Sequence, residues 1–232
     1  MKYRILFLFA ILCSVSKAAD VKSVLKKMNE KYAEKNVSFS AKYELFKGHK
    51  SNEVHSFYDG LTYSYEGETY QKIDNAEFVY AKDYFLKINH DERAMALSKG
   101  QQVINGTVDL DEALKECSSS KLIENGENYV IVFRFLATSS IPCSVIKVSV
   151  SKKKFLLKRM DLYYSYQQDF SNNFRVQDMH APHLRVTYDS INFSPKVQKG
   201  KFDLTTYLSK ENSILKPSGV CEGYELIDYR IK

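Results

Sequence analysis

The sequence predicts a mainly β protein, built as one large, strongly curved antiparallel sheet with two or so helices that cover one of its faces. Three observations predict this architecture. Tyr and Phe are abundant, at 17 and 14 of 232 residues, whereas Pro occurs only 4 times, and aromatic residues favour strands. Short polar breaks separate the apolar stretches, and breaks this short join only antiparallel neighbours. Helical periodicity replaces the strand pattern in two places, residues 20–35 and 108–117.

Residues 1–18 precede the predicted sheet and have the layout of a secretory signal peptide. Lys2 and Arg4 form a basic start, an apolar run follows, and Ser16-Lys17-Ala18 offers the small residues of a cleavage site. The apolar run is too short to cross a bilayer as a helix of the mature protein. We therefore expect residues 19–232 to form a single domain outside the cytoplasm.

Charge and cysteine content narrow the function classes. The full chain carries a formal net charge of +6, of which Lys2, Arg4 and Lys17 contribute three, so residues 19–232 carry +3. This slight and scattered excess does not favour nucleic-acid binding. Three cysteines remain, and in an oxidising compartment we expect one disulfide and one free thiol. The sequence does not choose among the three pairings of Cys117, Cys143 and Cys221.

The first predicted elements are a helix and the strand that follows it. Asp20 is a suitable N-cap, and one stripe of the helix carries apolar side chains at helical spacing. These are Val21, Val24, Leu25, Met28 and Tyr32. From residue 37 the period changes to two, with apolar residues at odd positions up to Leu45, which predicts a strand with one apolar face.

A meander of short strands comes next. We predict strands at residues 53–58, 61–65, 69–73, 77–81, 84–89 and 93–97. The breaks between them have turn chemistry and are Asp59-Gly60, Glu66-Gly67, Asp74-Asn75, Lys82-Asp83 and His90-Asp91-Glu92.

The strand pattern then pauses at a short predicted helix, residues 108–117, whose first turn is acidic as the helix dipole prefers. Asn125-Gly126 predicts a hairpin turn. The almost wholly apolar residues 129–136 predict a central strand buried on both faces. Further strands are predicted at residues 144–150, 155–166, 184–193 and 222–231, with a long irregular loop at 167–183.

The search for catalytic machinery gives a negative result. The chain contains no nucleophile elbow, phosphate-binding loop, zinc-protease motif or dinucleotide turn. His180 and His183, with Asp178 upstream, have a spacing that a metal ion or a hydrolase could use, but Pro182 prevents a regular helix from holding both rings on one face. We expect no catalytic residue, no metal site and no cofactor.

Surplus apolar surface is the best candidate for a binding site. Two modest helices cannot fill a large curved sheet, so we expect an apolar groove, the default ligand site of a fold. Apolar residues of matching parity recur on successive strands, and Phe78, Tyr80, Tyr84 and Ile88 are among them. Of this set, the residues expected to line the groove are Phe39, Tyr43, Leu45, Phe57, Leu61, Tyr63, Tyr65 and Leu86. Arg134 lies within the apolar residues 129–136, where it is either a strand-end arginine at the rim of the sheet or a polar anchor inside the groove.

The order of elements, together with several motifs, resembles a known family. An amphipathic helix leads into Val37-Ser38-Phe39-Ser40-Ala41-Lys42-Tyr43, and Asp59-Gly60-Leu61-Thr62-Tyr63-Ser64-Tyr65 lies in the meander. Val186-Thr187-Tyr188-Asp189-Ser190-Ile191-Asn192-Phe193 then precedes Phe202-Asp203-Leu204. In these features residues 20–210 resemble the periplasmic outer-membrane lipoprotein carriers (the LolA-like and LolB-like superfamily), as a diverged member.

The resemblance implies a fold and a function. The family fold is an unclosed β-barrel whose helices form a lid over an apolar cavity. By this resemblance the chain is a monomeric periplasmic carrier or chaperone, which binds acyl chains of lipoproteins or other lipids and takes them from an inner-membrane donor to an outer-membrane receptor. The alternative is a non-catalytic envelope interaction or assembly protein that uses the same fold without lipid cargo.

Two departures from the family pattern affect what the resemblance implies. The carriers place an arginine on an early strand, where residues 56–61 have neither Arg nor Pro. Arg134 is the candidate substitute for that lid contact. The chain also extends past the usual end of the family through Cys221 and residues 224–231, which we expect to form an added strand held by a disulfide.

Overall fold

The computed structural model describes residues 19–33, 36–100, 109–171, 176–196, 199–212 and 214–230. The expected signal peptide, residues 1–18, lies outside the described residues. Among the helices that are described, none is both long enough and apolar enough to cross a membrane.

The described residues form two α-helices and a mainly antiparallel sheet that does not close on itself, as the sequence predicts. The helices are α1 (Val21–Tyr32) and α2 (Leu110–Glu116). The first strands are β1 (Asn36–Phe46), β2 (Ser56–Tyr65), β3 (Glu68–Ile73), β4 (Ala76–Tyr80), β5 (Tyr84–Asn89) and β6 (Ala94–Lys99). The next are β7 (Ser119–Asn125), β8 (Asn128–Arg134), β9 (Cys143–Ser151), β10 (Leu157–Tyr164), β11 (Gln168–Asp169), β12 (Met179–His180) and β13 (His183–Asn192). The last are β14 (Leu208–Glu211), β15 (Ile214–Pro217) and β16 (Glu225–Asp228).

Twelve of these strands form one sheet, in the order β16-β6-β5-β4-β3-β2-β1-β13-β10-β9-β8-β7. The strands β2 to β6 are a meander, as predicted, because short turns join each strand to the next. The strand β16 adds to the outer edge of β6 in a parallel direction. The predicted C-terminal strand therefore exists, but it is shorter than the expected residues 222–231.

Local sequence signals set the limits of α1. The Asp20 carboxylate accepts a hydrogen bond from the Ser23 backbone N–H at 2.7 Å, and the Ser23 hydroxyl oxygen accepts one from the Asp20 backbone N–H at 3.1 Å. This reciprocal pair is a capping box, which satisfies two N–H groups that the first turn leaves free. The helix buries Val24, Leu25 and Met28 against the sheet, so the predicted stripe is confirmed.

The turn that we predict at Asp59-Gly60 is wrong. Both residues lie inside β2, which runs without a break from Ser56 to Tyr65. Gly60 is there because the ring of Tyr43, on the neighbouring strand, covers its α-carbon. A β-carbon at position 60 would lie 2.6 Å from Cε2 of Tyr43. The glycine thus marks a close contact inside a strand instead of a chain reversal.

Two separate cores lie on opposite faces of the sheet. The first packs α1 and α2 against β1, β13, β10, β9 and β8, on the face that carries Phe39, which we call the helix face. The second covers β3 to β6 on the other face, which we call the reverse face. Direct cross-strand partners share a face, and register links Phe39 to Thr62 and Gln71, whereas Tyr70 and Val79 occupy the alternate positions.

The segment from residue 199 to residue 230 covers the second core, in the part of it that the structure describes. It contributes Phe202, Tyr207, Leu208, Cys221 and Leu226, which pack on Tyr70, Val79, Leu86, Ile88, Met95 and Leu97. The hydroxyl of Tyr84 donates to the carbonyl oxygen of Phe202 at 2.6 Å. The described residues of this segment are therefore an integral layer of the fold.

The expected disulfide does not form. Cys117, Cys143 and Cys221 are all free thiols. Cys143 lies in the first core and Cys221 in the second. Since these two cores lie on opposite faces of the sheet, packing and hydrogen bonds hold the C-terminal segment in place without a covalent link.

The structure also corrects part of the prediction for β8. The hairpin at Asn125-Gly126 is confirmed, because Asn125 pairs with Asn128 across a two-residue turn. However, β8 lies next to the edge strand β7, and it is not buried on both faces. Ile131 and Phe133 are fully buried on the helix face, whereas Arg134 is exposed.

Candidate functional site

The register divides the predicted groove residues between the two faces of the sheet. Phe39, Tyr43 and Leu45 alternate along β1 on the helix face. Phe57, Leu61, Tyr63 and Tyr65 lie on the reverse face, as do their partners in the register. Leu86 pairs with Val79 and also faces the reverse side. The expectation of one shared face is therefore wrong for this set.

The predicted groove residues on the reverse face either pack in or against the second core or are exposed. Leu86 is fully buried in the second core, and Tyr63 and Tyr65 pack against the same core. Phe57 and Leu61 are exposed, at 61% and 37%. Arg134 is exposed at the end of β8, so it is a strand-end arginine and not an anchor inside an apolar cavity.

Beyond the helices, we group four of the aromatic side chains of the helix face and one amide as the aromatic strip. Its members are Tyr43, Gln71, Phe78, Tyr80 and Phe85. The amide Nε2 of Gln71 donates to the hydroxyl oxygen of Tyr43 at 3.1 Å. The rings of Tyr80 and Phe85 are direct cross-strand partners and stack with their centroids 4.8 Å apart. The strip therefore extends across the sheet from β1 to β5.

Burial differs between the rings and the polar groups of this face. Phe78, Tyr80 and Phe85 are half-buried, whereas Thr62 and Gln71 are buried, at 1% and 6% exposure. Thr62 and Gln71 are direct partners across β2 and β3. The two polar side chains are thus covered, whereas the three aromatic side chains keep part of their area exposed.

The tyrosine hydroxyls of the strip are neutral hydrogen-bonding groups. Burial raises the pKa of Tyr43, although the hydrogen bond from Gln71 opposes that rise. Burial also raises the pKa of Tyr80. Both side chains therefore stay protonated throughout the physiological range and can offer a polar edge to a mainly apolar ligand.

Phe85 and Gln71 are strip residues that the sequence reasoning missed. A signal for them existed, because a two-residue turn fixes the register of a hairpin. The turn at Asp74-Asn75 pairs Ile73 with Ala76 and therefore Gln71 with Phe78. Counting outward from each turn would have separated the strip from the reverse-face residues.

The histidine pair that could have served a metal ion or a hydrolase is split. His183 is 3% exposed, and its Nε2 lies 3.1 Å from Oδ1 of Asp161. His180 is exposed, and its Nε2 lies 2.7 Å from Oδ1 of Asp178. Among the residues that the structure describes, no group of three or more His, Cys, Asp or Glu side chains could hold a metal ion.

Comparisons with known proteins give structural matches only. No family model and no curated protein sequence matches the chain. An uncharacterized conserved protein from Thermus thermophilus superposes with a TM-score of 0.49 and 8% identity, over 89% of this chain and 98% of the other. A DUF1329 family protein from Desulfovibrio piger gives a TM-score of 0.42 and 12% identity, over 82% and 99%.

A LolA superfamily protein from Nitrosomonas europaea also matches, with a TM-score of 0.28 and 11% identity, over 78% of this chain and 97% of the other. All three TM-scores lie below 0.5, so we base no argument about function on these matches. The site itself defines a class: an unclosed antiparallel sheet with helices on one face and a partly exposed aromatic strip beside them.

Proposed function

We propose that this chain is a non-catalytic carrier of acyl chains in the periplasm, and that the aromatic strip is its binding surface. One observation carries the proposal. Phe78, Tyr80 and Phe85 keep part of their ring area exposed on the same face of the sheet that packs against α1 and α2. An apolar ligand can therefore lie on the rings and continue into the edge of the helix-covered core.

The energetics of this arrangement suit reversible binding. Burial of an acyl chain with about 16 methylene groups yields roughly 13 kcal/mol before any cost is subtracted. An open strip buries only part of that chain, and ordering of the ligand opposes binding. We expect dissociation constants in the micromolar range, which allow both uptake and release without a nucleotide.

The cellular setting of the proposal comes from the sequence. Residues 1–18 have the layout of a secretory leader, and the element order resembles the outer-membrane lipoprotein carriers. In this setting an inner-membrane donor would supply the acyl chains of a lipoprotein or another lipid, and an outer-membrane receptor would accept them. The carrier itself would need no catalytic group.

The test is a titration of residues 19–232 with a fluorescent fatty acid. We expect saturable binding at micromolar concentration. Phe85→Asp places a charge in the strip and should weaken binding about tenfold or more. Phe57→Asp is the matched control, since Phe57 is an exposed phenylalanine on the reverse face, and it should bind like the wild type.

Two results would contradict the proposal. One is the absence of binding by protein whose circular dichroism spectrum shows a folded sheet. The other is equal loss of binding in both variants, because the helix face would then not be the site. Capture of one protein partner without any lipid would favour the alternative, an envelope interaction protein that carries no lipid.

A further inference from the structure

Lys87 is the one charged side chain that the strands β1 to β6 place on the helix face, within the part of the chain that the structure describes. The other helix-face positions of these strands carry apolar, aromatic, small or uncharged polar residues. Lys87 is exposed. Among the described residues, no carboxylate lies within ion-pair distance of its ammonium group, and no hydrogen bond satisfies it.

Small side chains lie beside Lys87 on the neighbouring strand β6. Its cross-strand partners are Phe78 on β4 and Ala96 on β6. The helix-face residues of β6 are all small, namely Ala94, Ala96 and Ser98. Beyond Ala96 the row continues to Ile227 on β16, which is 44% exposed. In the register, Lys87 is therefore flanked by an aromatic residue on one side and by the small side chains of β6 on the other.

The same cross-strand row leads from Lys87 to the helix-covered core. Register connects Lys87 to Phe78, Phe78 to Gln71, Gln71 to Thr62, and Thr62 to Phe39. Four inter-strand steps span about 19 Å, which is close to the length of an extended palmitate chain. Phe39 belongs to the first core, beneath α1 and α2. A linear ligand with its head at Lys87 would therefore reach the helices with its tail.

We propose that Lys87 binds the carboxylate of a long-chain fatty acid, whose hydrocarbon tail lies across Phe78 toward Phe39. This inference rests on the proposed function and narrows its cargo from lipoprotein acyl chains or other lipids to free fatty acids. One unpaired cation among the uncharged helix-face side chains of β1 to β6 is complementary to one anionic head group. Glu225, on the helix face of β16, makes no ion pair with Lys87 in the described part of the chain. An acyl chain in amide or ester linkage has no such charge, so the site discriminates a free fatty acid from a neutral acyl group.

The experiment compares two ligands that differ in head-group charge. Residues 19–232 are loaded with the uncharged dye Nile red, which is then displaced by palmitate or by hexadecanol. We expect palmitate to displace the dye at about five-fold lower concentration than hexadecanol, the scale of a partly exposed ion pair. Lys87→Gln should remove this preference by weakening palmitate alone. Lys72→Gln, an exposed lysine on the reverse face, should keep it.

The outcomes separate the two proposals. If both ligands displace the dye and Lys87→Gln retains the preference for palmitate, the inference about Lys87 is overturned while the proposed function stands. If the folded protein binds neither the dye nor either ligand, the proposed function fails and this inference fails with it. Loss of the preference at high salt in the wild type would support an ionic contact, since salt screens such pairs.

Discussion

Nε2 of His183 lies 3.1 Å from Oδ1 of Asp161, and both side chains are almost completely buried on the reverse face. An ionised carboxylate can only accept, so Nε2 carries the hydrogen. The imidazole is sandwiched between Tyr163 and Phe46, at centroid distances of 4.3 and 4.9 Å. This contact joins β10 to β13 and shows that the histidine has a structural partner in the fold.

Asp161 also accepts from two partly exposed arginines, which makes this buried carboxylate the centre of a charged network. Nε of Arg159 lies 2.6 Å from one of its oxygens, and Nε of Arg185 lies 3.1 Å from the other. Asp161→Asn would leave these donors poorly paired. We expect the free energy of unfolding in urea to fall by about 2 to 3 kcal/mol. Asp59→Asn, at an exposed position of β2, should change it by less than about 0.5 kcal/mol.

The Asp161 carboxylate should make the free energy of unfolding depend on pH in the acidic range. Burial alone would raise the pKa of Asp161, but hydrogen bonds from His183, Arg159 and Arg185 outweigh it and lower the pKa to about 2. The ordinary value is about 3.9. The ionised form is therefore favoured by folding, and its contribution is complete above about pH 4 and lost as the pH falls through about 2.

We expect the stability gap between wild type and Asp161→Asn to narrow by roughly 2 kcal/mol between about pH 5 and pH 2, when urea unfolding is measured across that range. Other carboxylates with lowered pKa values, such as Asp228, are common to both proteins and cancel in the difference. A gap that stays constant over this range would show that Asp161 does not gain its stability from ionisation.

Gly60 and Tyr43 should be energetically coupled. A β-carbon at residue 60 meets Cε2 of Tyr43 at 2.6 Å, so Gly60→Ala forces the ring to move and should cost about 1 to 3 kcal/mol. In a Tyr43→Ala background the same change should cost little, because the obstructing ring is absent. Thermal or urea unfolding of the double-mutant cycle measures the coupling. Additive effects would contradict the close contact.

The thiols give a direct check on the missing disulfide. Cys143 and Cys221 are 2% and 0% exposed, and burial raises the pKa of each to about 11. Cys117 is half-buried. Without reductant, residues 19–232 should therefore show one fast-reacting thiol with Ellman's reagent when folded and three when unfolded in guanidinium. A count of one after unfolding would mean that a disulfide had formed.

Local signals in the sequence were sufficient to predict most of the individual helices and strands. The cap at Asp20 and the apolar stripe of α1 lie within one stretch of chain, and so do most of the turn residues of the meander. The site was only partly predictable. Tyr43 was expected on the binding face and lies there, whereas Leu86, which was expected on the same face, lies in the second core.

The sequence by itself determined most of the helices and strands, because caps, turns and periodicity act between neighbours along the chain. Only the tertiary structure decided which face each strand presents. Side chains alternate with a period of two, so a shift of one residue in pairing exchanges the two faces of a strand. The register from β1 to β5 settled that choice, together with the packing of residues 199–230 on the reverse face. It left Phe78, Tyr80 and Phe85 on the helix face.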